Sequence, residues 1–283
     1  MMTVRDVTGW LEDAYPPALA EPWDHVGLDC GDPAALVTTV GFAVDPTDAV
    51  VAEAVARGAQ LLVTHHPLLF RGVHALRRDE PAGRLVIALL AGGVAHFCAH
   101  TNADAAEGGV NDALAAALGL TETRPLVATP DETPAVLDHT PLDSPRGIGR
   151  VGVLTEPVTA AVLARRLAAA VPKTVTGVRL GGDPRRLVRR VAVLGGAGDS
   201  HLDAARRAGV DAYVTGDLRH HPASDFLAHD DAPVLIDVPH AAAESLWLPH
   251  AERWVRERAD AAGVRLETYV STLRTDPWTL RVG

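Results

Sequence analysis

Residues 37–64, VTTVGFAVDPTDAVVAEAVARGAQLLVT, decide the fold. An apolar run with β-branched residues (37–44) reads as a strand, residues 48–57 have helical spacing, and Gly58 stops them. Residues 61–64 then form a short buried strand. Residues 188–215, VRRVAVLGGAGDSHLDAARRAGVDAYVT, repeat this order without gaps at an offset of 151. Val37/Val188, Val40/Val191, Asp48/Asp199, Ala54/Ala205, Gly58/Gly209, Val63/Val214 and Thr64/Thr215 are identical. Each half reads strand, turn, Ala-rich helix, glycine, and a strand ending in Val-Thr. Two related α/β lobes are expected.

The same alternation extends outward. Thr3 caps an amphipathic helix that buries Val4, Val7, Trp10 and Leu11 and ends at Pro16-Pro17. Residues 82–91 and 111–118 read as helices, and 94–99 as a strand between them. Residues 121–149 carry Pro125, Pro130, Pro134, Pro141 and Pro145 among many Asp and Thr, and are expected to be a long loop or linker. The expected lobes are residues 1–124 with 232–283, and residues 125–231 beginning with that linker.

Composition removes several classes of function. The chain has 283 residues, 36 acidic against 26 basic side chains, and a formal charge of −10. An acidic chain without a basic run is a poor partner for a nucleic-acid backbone. No run approaches the roughly 20 apolar residues of a membrane span. No charged and apolar leader opens the chain, so a cytoplasmic location is expected. Two cysteines, Cys30 and Cys98, support neither a disulfide framework nor a Cys-rich zinc site. The anomaly is 13 histidines.

Those histidines gather at strand exits, where open α/β sheets place functional groups. His65-His66-Pro67 follows the 61–64 strand. Neighbouring strand residues point to opposite faces, so both imidazoles can converge only where the chain leaves strand geometry, as Pro67 favours. His100-Thr101-Asn102-Ala103-Asp104 follows the 94–99 strand. His240 and Glu244 follow Pro239 at a spacing that puts both on one helical face. His65, His66, Asp104, His240 and Glu244 together offer three nitrogens and two carboxylates. That is one ligand more than a tetrahedral ion needs, and it suits two divalent ions such as Zn, Mn, Fe, Co or Ni. The pair His220-His221 after Thr215-Gly216-Asp217 can line a cleft, serve as acid and base, or cap a helix. Gly195-Gly196-Ala197-Gly198 can present amides to an anion or make a tight turn.

In their order along the chain these motifs resemble the Nif-three-like family of dinuclear-metal proteins, whose members are often labelled GTP cyclohydrolase I type 2 homologues. The markers are Trp23-Asp24-His25-Val26-Gly27-Leu28, Thr64-His65-His66-Pro67 and His100-Thr101-Asn102-x-Asp104 with Gly108-Gly109-x-Asn111. Gly195-Gly196-x-Gly198, Thr215-Gly216-Asp217 with His221, and His240-x-x-x-Glu244 complete the set. His25 stands where the family commonly has Asn. The resemblance implies two interlinked α/β lobes with a two-metal site in the cleft between them, and a ring-shaped homohexamer. It places the metal ligands on His65, His66, Asp104, His240 and Glu244, with His100 nearby. The expected function is a metal-dependent hydrolase using a metal-bridging water on a small, nucleotide-like or phosphorylated substrate, with His100, His220 or His221 as proton shuttle. A metal-delivery protein without turnover, or a ring-shaped scaffold, uses the same ligands.

Overall fold

A computed structural model describes residues 2–128 and 146–282. The first elements are α1 (Val4–Ala14), β1 (Gly27–Cys30), β2 (Thr39–Ala43), α2 (Asp48–Ala56), β3 (Leu61–Thr64), α3 (Pro81–Ala91), β4 (Ala95–Cys98) and α4 (Thr101–Ala105). Next come α5 (Val110–Ala117), β5 (Leu120–Ala128), β6 (Gly147–Thr159), α6 (Ala160–Ala170), β7 (Arg179–Gly181), β8 (Leu187–Ala197) and α7 (Leu202–Arg207). The chain ends with β9 (Ala212–Gly216), α8 (His220–Leu227), β10 (Val234–Asp237), α9 (His240–Glu244), α10 (Leu248–Ala261) and β11 (Glu267–Val270). Two compact units result, residues 1–106 with 248–275 and residues 107–247 with 276–283.

The first unit holds a five-stranded sheet in the order β1-β4-β3-β2-β11. All neighbours are parallel except β1, which runs antiparallel to β4. Val50, Ala54, Leu62, Val86, Leu89 and Val94 fill a core between sheet and helices. Thr3 and Asp6 form a reciprocal capping box on α1, which satisfies amides that the first turn leaves open. Val4, Val7 and Leu11 are fully buried, as the periodicity predicts, while Trp10 is half-buried.

The second unit holds a six-stranded sheet, β5-β6-β8-β9-β10-β7. Its parallel centre, β8-β9-β10, is buried on both faces: Val191, Val193, Val214 and Ile236 join one core, and Ala192, Tyr213 and Leu235 the other. β10 and α9, within the residues expected to belong to the first lobe, lie in this unit because β10 pairs with β9.

The repeat is reproduced in register. Val40 pairs with Leu61, and 151 residues on Val191 pairs with Ala212. The pairs Phe42–Val63 and Val193–Val214 correspond in the same way. Residues 199–207, the counterpart of α2, form a short 3-10 turn and α7. Gly58 and Gly209 end the two helices with the same φ of +64°, a left-handed conformation that glycine adopts without penalty. Each repeat continues into a third parallel strand and an antiparallel edge, so β2-β3-β4-β1 corresponds to β8-β9-β10-β7.

The expected loop over 121–149 is corrected at both ends. Residues 120–128 form β5 and residue 147 opens β6, with Pro125 opposite Arg150 in the ladder. β5 is an edge strand, and an edge tolerates a residue without an amide proton. Pro130, Pro134, Pro141 and Pro145 lie outside the described residues. Among the described residues, no helix is long and apolar enough to cross a membrane.

Candidate metal centre

In the first unit, donors collect where β3 and β4 end. The His65 and His66 amides still donate to Ala43 and Val44, so the chain leaves the sheet only after both residues are anchored. His65 is fully buried, and its Nδ1 lies 2.9 Å from the Ala99 carbonyl oxygen. A carbonyl only accepts, so Nδ1 carries the proton and Nε2 keeps a lone pair. His66 Nδ1 lies 2.6 Å from Asp45 Oδ1, and His100 Nδ1 lies 3.0 Å from Asp24 Oδ2. Ionised carboxylates impose the same tautomer. One ligand atom from each of His65, His66 and His100 falls within 4.8 Å of the others. Asp104 joins from α4, its Oδ1 3.8 Å from His65 Nε2.

Asp24 is the anchor of this half. Its Oδ2 accepts from His100 Nδ1 and, at 3.1 and 2.5 Å, from the Thr101 amide and hydroxyl. Burial raises its pKa, but the bonds from His100 and Thr101 outweigh that and bring it down to about 2.

In the second unit, Pro239 precedes the first residue of α9, and His240 and Glu244 share one face. His240 Nε2 lies 2.9 Å from Glu244 Oε1, and its Nδ1 lies 2.7 Å from Asp217 Oδ2. Burial lowers the His240 pKa, but the Glu244 charge, assisted by Asp217, overcomes it and pushes the value up to about 11. A cation taking this nitrogen must therefore displace a proton. The Gly195–Gly198 turn lets the main chain pass close by. Gly196 sits at φ +73°, and a Cβ there would come within 2.6 Å of Glu244 Oε1 and 3.3 Å of His240 Nε2. The Gly195 amide donates to Asn111 Oδ1 at 2.9 Å.

Other candidates lie elsewhere. His220 and His221 are exposed in the first turn of α8 with ring centroids 5.1 Å apart. His220 borders a groove of about 440 Å³ in the second unit, together with Arg179, Ser224 and Asp237. His25 is exposed. Burial pushes the Cys30 thiol up to about 11 and the Cys98 thiol well above its ordinary value, so neither is a thiolate nucleophile at neutral pH.

The donors fit a borderline divalent cation. In His65, His66, His100 and His240, Nδ1 faces a carbonyl or a carboxylate, the outer partner that orients a ligating imidazole. Sequence reasoning missed these partners. Asp24 and Asp217 stood inside quoted motifs without a role. Asp45 carried one usable signal, its place at the end of the first strand of the repeat.

The Duf34/NIF3 (NGG1p interacting factor 3) family profile matches residues 2–277. The chain is 45% identical to a Streptomyces coelicolor protein named GTP cyclohydrolase 1 type 2 homolog, over 100% of this chain and 95% of that one. A Mycobacterium tuberculosis protein of the same name is 36% identical over 376 aligned positions, covering 99% of this chain and 98% of the relative, so the relative holds residues this chain lacks. Among solved structures, a Bacillus cereus protein related to NIF3 superposes with a TM-score of 0.87 at 27% identity, covering 99% of both chains. The motif order, the paired α/β units and this full-length similarity agree: the chain belongs to the Duf34/NIF3 family.

Proposed function

We propose that the chain binds a pair of divalent ions through His65, His66, Asp104, His240 and Glu244, and uses them to hydrolyse a small molecule of nucleotide-like or phosphorylated character. One observation carries the reading: every imidazole in the two donor sets has its Nδ1 turned to a fixed acceptor, which orients the ring as the outer partner of a ligating histidine does. When bound, such ions supply Lewis acidity and bring a water molecule toward ionisation at neutral pH. Asp104 and Glu244 offset the positive charge. His100, oriented by Asp24, presents Nε2 beside His65 and His66, the position of a group that takes a proton from the attacking water and returns it to the leaving group. His220 and His221 are the alternative shuttles. The name shared by the relatives makes opening of a GTP ring one special case of this chemistry. Self-association into a ring-shaped homohexamer in the cytoplasm belongs to the same reading.

The test is metal content by mass spectrometry, followed by assays of phosphoester, nucleotide and cyclic amide substrates with wild type and His65→Ala. We expect about two ions per wild-type chain, fewer in the variant, and turnover that disappears with the metal. Turnover that survives metal removal overturns the hydrolase, and two ions without any turnover favours metal delivery. Light scattering near the mass of six chains supports the ring.

A further inference from the structure

His96 lies outside the donor set, is fully buried on β4, and belongs to a closed circuit of hydrogen bonds. Its Nε2 lies 2.8 Å from Thr64 Oγ1, and its Nδ1 lies 3.0 Å from Asp29 Oδ2. The Thr64 hydroxyl donates to the His66 carbonyl at 2.6 Å, and Asp29 Oδ2 accepts the Leu68 amide at 3.2 Å. The chain Asp29–His96–Thr64 therefore crosses three neighbouring strands and grips the main chain on both sides of Pro67.

Proton directions follow from the acceptors. The His66 carbonyl has no proton to give, so Thr64 spends its only one there. Thr64 Oγ1 must then receive a proton from His96, which fixes a proton on Nε2. At the other side of the ring, one proton lies between Nδ1 and Asp29 Oδ2. A buried polar chain of this kind is costly unless each member is satisfied.

The second repeat shows that the fold itself does not require it. There, the position corresponding to His96 is Leu235, packed among Tyr213, Phe226 and Leu202 in an apolar core. Thr215, the counterpart of Thr64, donates to Gly196 at 3.3 Å instead. Among the described residues, the polar chain Asp29–His96–Thr64 has no counterpart at the corresponding positions of the second repeat.

The geometry points to Asp29, His96 and Thr64 as positioning residues that hold the His65–His66 turn in its metal-binding conformation. The inference rests on the metal reading above. It is tested with the full-length protein by Zn titration, by the visible spectrum of the Co-loaded form, and by ¹⁵N NMR of the metal-free protein labelled at histidine. We expect His96→Val and Thr64→Val to keep the wild-type fold by circular dichroism, to bind Zn about 10- to 100-fold more weakly, and to shift the Co bands. Thr64→Ser, which keeps the hydroxyl, should restore both. His96 should show a protonated Nε2 in the metal-free wild type. An unprotonated Nε2, or Zn affinity in both Val variants equal to wild type, overturns the inference. Wild type that takes up no Zn overturns the metal reading, and this one with it.

Discussion

The two repeats are one backbone with two chemistries. In the first, the end of the opening strand supplies a carboxylate, Asp45, and the end of the second supplies the imidazole it holds, His66. In the second repeat Gly196 occupies the place of Asp45, and Asp217 occupies the place of His66. The carboxylate has moved one strand along. The imidazole it holds, His240, comes from the strand after that. A carboxylate gripping Nδ1 thus recurs in both units, while the element that delivers each partner differs. The pattern of acceptor and imidazole persists where the residues do not.

The largest expected effect comes from imposing one repeat on the other. His66→Asp, which puts the second repeat's residue into the first, should cut bound metal to roughly half or less, because a carboxylate cannot replace the oriented nitrogen. Unchanged metal content would break the comparison. Next, Asp45→Ala and Asp217→Ala should each weaken metal binding by about 10- to 100-fold with the fold intact, read by competition with a chelator. If only one of them matters, the two carboxylates are not equivalent. Gly196→Ala should destabilise the protein by about 1–2 kcal/mol from the left-handed backbone alone and should also displace Glu244, whereas Ala at Gly58 should show strain without any loss of metal. Thermal melts with and without Zn separate the two.

The smallest effect concerns Asp24. Its folded pKa of about 2 lies below the unfolded value near 3.9, so its stabilisation is present above about pH 4 and is lost as pH falls toward 2. With solvent screening this amounts to about 1–2 kcal/mol. Asp24→Asn should therefore be less stable than wild type at pH 7, and the gap should close on acidification. A gap that widens in acid would refute the assignment.

Much of this was legible in the sequence where the information is local. The β3 strand spans the residues that its apolar run predicts, and His240 and Glu244 share a face because the helical repeat requires it. β5 was not legible. Pro125 argues against a strand by its own chemistry, and only its place at a sheet edge removes the objection. The outer partners were hidden for another reason. Asp45 lies 21 residues before His66, Asp24 lies 76 before His100, and Asp217 lies 23 before His240. Each pairing forms only when separate strand ends meet, and an aspartate at a strand end is by itself an ordinary turn residue. His96 reads as apolar-strand filler with an odd side chain until Asp29 and Thr64 are beside it.

The discontinuity of the first unit has a consequence for biosynthesis. All six strands of the second sheet lie between residues 120 and 237, but the first sheet needs β11, at residues 267–270, to cover the edge of β2. On the ribosome, where structure forms as the chain emerges, the sheet that begins first is completed after the second one. The strand that anchors His65 and His66 through Ala43 and Val44 therefore waits, with one edge open, until residues 267–270 have emerged. Until then the nascent chain carries its histidine pair on an unfinished sheet.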